Sequence, residues 1–425
     1  MVAIIYSSLF VFILIISYYK FHNIFNIVSI FSFIWFFFGI ISSLGVTGYR
    51  VPSLEVYMYS LVFVLIVDSI LLATISKETN VNLSLIPRDS SPHNNNQSGY
   101  VHSIVILLII PMMIKSLRIL FNTHSFTEVR LAFFGGDNFA SPLADLVFRQ
   151  LPMGMLQGLI IYYVYRSFET KKPAYLVLAL IDTLIVSFVG GGRYAIMLFV
   201  VSIIVLLLND RSILSNVAII KKYMRTIRII TIIVGLLLLF LSVNRGQNIV
   251  KSALGYYSGS LSFLDYILSN KYQFALNERL FGYLTFGFIL EPVVLLLKVI
   301  GITTAKVPSY YFNIYCQNFY NIGDGQNIKM FNNNTTILYY FLKDFGVLGI
   351  LIGAVLISFL IVFLYNNWVN NHKPLFGMMY IFMCDVLFNS LMTNQLFKST
   401  PLFIFLVLYL CTRKKLIPIK FVMKN

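Results

Sequence analysis

Long runs of apolar residues are the feature that most restricts how this sequence can fold. A hydrocarbon layer about 30 Å thick is crossed by roughly 20 residues of α-helix, and eleven apolar runs approach or reach that length. Hydrophobic residues make up 58% of the 425 residues and charged residues only 11%. Because a helix satisfies its own backbone hydrogen bonds inside lipid, the sequence predicts an all-α polytopic membrane protein and excludes a soluble fold.

The predicted spans form one membrane domain over residues 1–425. They occupy residues 2–19, 24–44, 54–75, 101–121, 151–165, 174–190, 194–208, 227–243, 345–365, 374–392 and 400–411. The first run lacks a basic leader and a small-residue cleavage site, so we expect it to be a retained span.

Basic residues in the connections predict which ends of the spans face the cytoplasm. Three groups agree with one another: Arg413, Lys414, Lys415, Lys420 and Lys424; Arg211, Lys221, Lys222 and Arg225; and Arg166, Lys171 and Lys172. Counting spans from these groups places the polar insert 77–100 and the C-terminus in the cytoplasm, and the loops 122–150 and 244–344 outside. This topology accounts for most of the net charge of +16, so no nucleic-acid partner is expected.

The stretch 281–301 is apolar enough to resemble a twelfth span, although it contains Glu291, Pro292 and Lys298. If it crossed the membrane, the basic C-terminal tail would move to the outside, against the charge rule. We therefore expect a re-entrant or interfacial helix within the large outer loop.

Basic residues on the predicted outer side are unusual, because that side normally carries few of them. Arg130, Arg149, Arg193, Arg245 and Arg279 all fall there, and Lys115 and Arg118 lie three residues apart in the outer half of the fourth span. These basic residues would suit a cavity that binds a lipid-linked pyrophosphate, since arginine forms bidentate hydrogen bonds with phosphate oxygens. The alternative is that these side chains reach the lipid headgroups.

Three glycines precede Arg193, at positions 190 to 192, where the sixth predicted span turns into the seventh. Glycine permits positive φ and close backbone approach, so this turn can place amide groups and Arg193 against a phosphate. A tight turn without a ligand explains the same glycines.

Proton transfer in the large loop must rely on carboxylates, because that loop contains no histidine. We select Glu278, Glu291 and Asp344 as candidate catalytic groups. The chain has no Asp-x-Asp triplet in a loop, no phosphate-binding glycine loop and no cluster of metal ligands, and its three cysteines form no paired motif. We therefore expect no metal and no cofactor.

Several of these features occur together in one known family. They are Gly191-Gly192-Arg193 at the start of a span, Arg245-Gly246 after a later span, the large outer loop, and an Asn-x6-Tyr-x3-Asp-Phe-Gly-x2-Gly stretch from Asn333 to Gly349. In this order the chain resembles the Wzy-type polymerases of O-antigen, capsule and exopolysaccharide repeat units. It departs from some relatives in the Arg-x10-Gly spacing after Arg245, because Gly255 lies one residue short, so donor and acceptor sites stay unassigned.

The resemblance implies a metal-independent, multi-span glycosyltransferase in the cytoplasmic membrane. Such an enzyme transfers a growing glycan from undecaprenyl pyrophosphate to a new lipid-linked repeat unit on the outer face. Its partners would be lipid-linked oligosaccharides, membrane lipids, and the flippase and chain-length regulator of the same pathway. The implied donor bond supplies the energy, which fits the absence of a nucleotide-binding motif.

Two other functions compete with this interpretation. An O-antigen ligase has a similar outer loop but relies on a histidine within it, which this chain lacks. A flippase or other transporter of lipid-linked oligosaccharides would share the spans and the arginines. It would not need a hundred-residue outer loop, and internal repeats, which it would often show, are not evident here.

Overall fold

The computed structural model describes residues 1–75, 95–134, 142–209, 249–325, 328–332 and 334–413, with three further positions at 228, 232 and 235. Across these ranges the protein is all-α apart from two very short strands, as the apolar runs predict. Apart from those three positions, the predicted span 227–243 lies outside the described residues, and so do most of the insert 77–100 and Arg245.

The described elements of the first half are α1 (Val2–Phe21), α2 (Ile27–Ser43), α3 (Leu54–Thr74), α4 (Asn95–Thr123), α5 (Phe126–Phe134), α6 (Pro142–Asp145), a π-helical turn (Leu146–Gln150), α7 (Leu151–Thr170), α8 (Ala174–Gly190) and α9 (Tyr194–Asn209). Those of the second half are α10 (Ile249–Ser269), α11 (Gly287–Val299), α12 (Pro308–Cys316), β1 (Tyr320–Asn321), β2 (Met330–Phe331), α13 (Ile337–Phe345), α14 (Leu348–Asn371), α15 (Pro374–Asn389), a 3-10 turn (Gln395–Phe397) and α16 (Thr400–Thr412). The two strands pair antiparallel, with Tyr320 opposite Phe331.

Four of the described helices are long and apolar enough to cross a membrane: α1, α3, α4 from Gln97 onward, and α14. Helices α2, α8, α9, α15 and α16 are apolar but shorter. Ten of the eleven predicted spans coincide with helices, and the apolar helices indicate a membrane-spanning protein. How many of them cross, and in which direction, stays a prediction.

Helix α7 forms the centre of the bundle and is buried along almost its whole length. Gly154 and Gly158 lie four residues apart on the face that meets α16. A Cβ at Gly158 would lie 2.3 Å from the Val407 Cγ1 atom and 3.1 Å from the Ile404 carbonyl oxygen. These small residues therefore let the two helix backbones approach closely, as in other membrane helix pairs.

Three acidic side chains inside apolar helices have partners on neighbouring helices. Ser32 donates to Asp68 at 2.6 Å, and Tyr194 donates to Asp385 at 2.8 Å. Asp182 lies 2.9 Å from the His102 ring. These hydrogen bonds join neighbouring helices, and they offset the cost of a polar group without a partner in an apolar interior.

The stretch 281–301 contains a sharp turn followed by α11, which is 13 residues long. At 1.5 Å per residue this helix is only about 20 Å long, less than the roughly 30 Å of a hydrocarbon core. Helix α11 packs against α6, α12, α16 and the 3-10 turn. Its length is compatible with the interfacial helix expected from the sequence, although its position relative to the membrane stays a prediction.

Candidate functional site

A cavity of about 480 Å³ lies between α5, the π-helical turn, α7, α11, α12 and the segment that leads into α16. This volume is in the range of sites for small ligands. Its charged lining residues are Arg130, Arg149, Glu291 and Lys398. Its uncharged polar lining includes Gln150, Gln157, Asn313, Gln317, Asn334 and Gln395. Three cations and one carboxylate therefore face a single space.

Arg130 is placed by contact between α5 and the glycine turn after α8. Gly191 has φ +54°, and a Cβ there would lie 3.0 Å from the Phe126 carbonyl oxygen and 3.1 Å from the Arg130 amide nitrogen. Only glycine combines this conformation with this close approach. The turn and α5 are thus held against each other, with Arg130 pointing toward the cavity.

Arg193 follows the same turn and lies beside Arg130. Burial lowers the pKa of Arg193; Tyr256 opposes this effect and the charge of Arg130 adds to it. Its Nε and Nη2 atoms are buried and have no hydrogen-bond partner within the described ranges. Two neighbouring guanidinium groups favour an anion between them.

The glycine amides do not have the role that the sequence suggested. Gly191 N donates to the Phe188 carbonyl at 3.3 Å, and Gly192 N donates to the Ser187 carbonyl at 3.2 Å. These bonds complete the C-terminus of α8, as expected of a glycine in the left-handed region. The turn therefore contributes through its contact with α5, and these two amides are used at the helix end. Arg193 lies beside Arg130 but does not itself line the cavity.

Arg149 lies in the π-helical turn that precedes α7. Its guanidinium forms a bidentate ion pair with Asp145. The Asp145 carboxylate also accepts a hydrogen bond from Gln150 Nε2 at 3.0 Å. The Gln150 amide oxygen accepts from the Ser399 hydroxyl at 2.9 Å. This chain of hydrogen bonds links the π-helical turn to the segment before α16, and a π-helical turn often marks a functional site.

Glu291 is the carboxylate of the cavity. The residue is only 5% exposed to solvent, and its Oε1 atom accepts a hydrogen bond from the Ser309 hydroxyl at 2.9 Å. The Oε2 atom is buried with no hydrogen-bond partner in the described part of the chain. Burial raises the pKa of Glu291 to about 7, and the Ser309 hydroxyl, Lys398 and Arg149 limit that rise. A pKa near the working pH suits a general base.

Lys398 completes the cavity and was not among the candidates chosen from the sequence. Burial lowers the pKa of Lys398 to about 8; Glu291 opposes this, and Arg149 and Arg130 add to it. The predicted topology places the connection 393–399 outside, so the criterion that selected the outer arginines applies equally to Lys398. Extending that criterion to lysines would have found it.

Several predicted site residues do not line this cavity. Arg118 on α4 is exposed and Lys115 is partly exposed, while Glu278 and Arg279 are both exposed near α13. Arg279 donates to the Leu342 carbonyl at 2.6 Å and contacts Gly346, so in the structure it supports the end of α13. Arg245 lies outside the described residues.

Asp344 serves as an anchor in the structure and does not line the cavity. Its carboxylate accepts from the Thr285 amide and hydroxyl, each at 2.6 Å, and from the Leu284 amide at 3.2 Å. Burial raises the pKa of Asp344, while these hydrogen bonds act in the opposite direction. The Asp-Phe-Gly stretch therefore fastens α13 to the turn that precedes α11.

Comparisons with protein-family models, with curated proteins and with solved structures gave no match to this chain.

Proposed function

We propose that the protein is a glycosyltransferase that joins lipid-linked oligosaccharide repeat units into a surface polysaccharide. The observation that carries the proposal is the joint presence of Glu291, Arg130 and Arg149 on one cavity. A base with a pKa near neutrality and guanidinium groups for an anionic leaving group are the two requirements of a metal-independent transfer from a pyrophosphate donor.

The chemical step assigns each group a role. The hydroxyl oxygen of the acceptor sugar attacks the anomeric carbon of the donor, and a new glycosidic C–O bond forms. The bond between that carbon and the lipid pyrophosphate breaks, and the pyrophosphate leaves with the electron pair. Glu291 accepts the hydroxyl proton, while Arg130 and Arg149 stabilise the charge that develops on the leaving group.

The rest of the cavity lining suits a sugar ligand. Side-chain amides from Asn313, Gln317 and Asn334 offer donors and acceptors to hydroxyl groups. Phe312 and Phe397 also line the cavity, with ring centroids 4.9 Å apart. Aromatic rings beside amides bind sugar rings, which have apolar faces and polar edges.

The topology predicted from the sequence supports the cellular setting of this proposal. It places the large loop on the outer face of the cytoplasmic membrane, where substrates would arrive after a flippase has acted. A chain-length regulator would act on the products. The substrates on this account are undecaprenyl-pyrophosphate-linked oligosaccharides within the membrane lipids.

A deletion strain tests the proposal. Loss of the protein should leave surface glycan as single repeat units, and the intact gene should restore long chains. We expect Glu291→Gln to fail in this test at normal protein level, whereas Glu278→Gln, a matched change at an exposed carboxylate, restores polymer.

The same strain separates the competing functions. Repeat units that accumulate on the cytoplasmic side would indicate a flippase. Long polymer retained on its lipid carrier would indicate a ligase. Either result would refute the proposed polymerase, as would full restoration of chain length by the Glu291→Gln variant.

A further inference from the structure

Lys398 and Glu291 are brought together by one close backbone contact. Helix α11 begins at Gly287, and a Cβ at that position would lie 2.2 Å from the Phe397 carbonyl oxygen. Glu291 is four residues after Gly287 and therefore lies on the same face of the helix. Lys398 immediately follows Phe397. The contact that only glycine permits thus sets both charged side chains at the same wall of the cavity.

The other polar and charged groups around Glu291 all have hydrogen-bond or ion-pair partners. On the π-helical turn, Arg149 is paired with Asp145 from α6. Helix α12 contributes the Ser309 hydroxyl, which donates to Glu291. Tyr283, in the turn before α11, donates its own hydroxyl to the Lys306 carbonyl at 2.6 Å. Among the charged groups, Lys398 has the strongest effect on the Glu291 carboxylate, ahead of Arg149.

We propose that Lys398 is a positioning residue that keeps the Glu291 carboxylate ionised and directed into the cavity. This inference rests on the proposed function, because it assigns to Glu291 the role of proton acceptor. In the transfer step the acceptor hydroxyl loses its proton to Glu291, the pyrophosphate leaves with its electron pair, and Lys398 keeps its own proton throughout. The ammonium group acts through Glu291 and forms no bond.

The direction of the pH effect follows from the charges. The active form combines ionised Glu291 with protonated Lys398, so activity should rise as pH passes the pKa of Glu291 and fall as pH passes the pKa of Lys398. These values are about 7 and about 8. An adjacent cation favours the ionised carboxylate, so removing the Lys398 charge should raise the pKa of Glu291 further.

Two substitutions and one control test this inference in purified protein reconstituted with lipid-linked repeat units. Lys398→Met should move the acidic limb of the rate profile upward by about one pH unit or more. Lys398→Arg should leave the acidic limb in place and move the alkaline limb upward, because arginine stays protonated. Lys306→Met removes an exposed lysine just before α12 and should change neither limb.

A second measurement does not depend on the reaction. The infrared band of the Glu291 carboxyl group can be identified by its loss in Glu291→Gln and followed across pH. In Lys398→Met this band should titrate at higher pH than in the unchanged protein. Equal titration in the two proteins would overturn the inference, as would a rate that falls by the same factor at every pH. If the unchanged protein forms no polymer while the band shifts, the proposed function fails and the link between Lys398 and Glu291 stands.

Discussion

Replacement of Gly287 with alanine tests the contact on which the cavity depends. The added Cβ would lie 2.2 Å from the Phe397 carbonyl oxygen, 2.6 Å from its carbon and 2.8 Å from its Cα atom. Ordinary contact begins near 3.4 Å, so α11 and the Phe397 backbone must separate by ~1 Å in an interior packed like a solid. Both partners are backbone, so no side-chain rotation relieves the clash.

Two consequences of different size should follow. Overpacking of this kind costs about 1–3 kcal/mol of stability. The same shift moves Glu291 relative to Lys398, and a misplacement of about 1 Å at a reacting centre can cost on the order of 100-fold in rate. We therefore expect Gly287→Ala to fold, to unfold at a moderately lower temperature, and to lose nearly all polymer formation.

The cysteines supply the assay for stability. Cys316, Cys384 and Cys411 are all free and buried, so a dye that fluoresces on reaction with thiols reports unfolding of detergent-solubilised protein. The matched control is Gly99→Ala on α4, where the added Cβ would meet no described atom within 4 Å apart from its chain neighbours and its own helix backbone, and alanine favours a helix. If Gly287→Ala unfolds at the same temperature as Gly99→Ala and forms normal polymer, the tight contact between α11 and Phe397 is refuted.

Further predictions concern anchoring and helix packing. Asp344→Asn turns an amide group toward the donors of Thr285 and should destabilise the fold by about 1–3 kcal/mol, the cost of a buried donor without an acceptor, in the same dye assay. An unchanged unfolding temperature would show that Asp344 is not an anchor. Gly158→Ala should destabilise the packing of α7 on α16 by a similar amount. Adding Val407→Ala should recover part of that loss, because the nearest atom to the new Cβ is Val407 Cγ1; no recovery would contradict this geometry.

Part of the candidate site could be predicted from single residues. Glu291 attracts attention because a carboxylate followed by proline interrupts an apolar stretch, and a charge in such surroundings needs a functional or structural reason. Arg130, Arg149 and Arg193 were selected because they lie on the predicted outer side. The structure brings all four near one cavity. Local sequence features could not predict this proximity, because residues 130 and 291 are distant in the chain.

Other candidates could not be separated by sequence alone. Asp344 and Glu291 are both carboxylates of the predicted outer loop, yet Asp344 is saturated by donors from Thr285 and Leu284, while Glu291 keeps one oxygen without a partner in the described part of the chain. Arg279 has a backbone acceptor and lies away from the cavity. The hydrogen-bond partners of a charged group come from backbone and side chains that are distant in the sequence. The spacing of residues along the chain therefore does not show whether such a group has all its partners.

The sequence by itself determined that the chain is helical and built for a membrane, because the length and apolarity of each run are local properties and lipid admits few other folds. Only the tertiary structure decided which charges meet. Gly287 and Phe397 lie more than a hundred residues apart, and their contact sets Lys398 beside Glu291. Such a contact depends on how helices pack as whole bodies, and packing is settled by the sum of many side chains, so no short pattern reveals it.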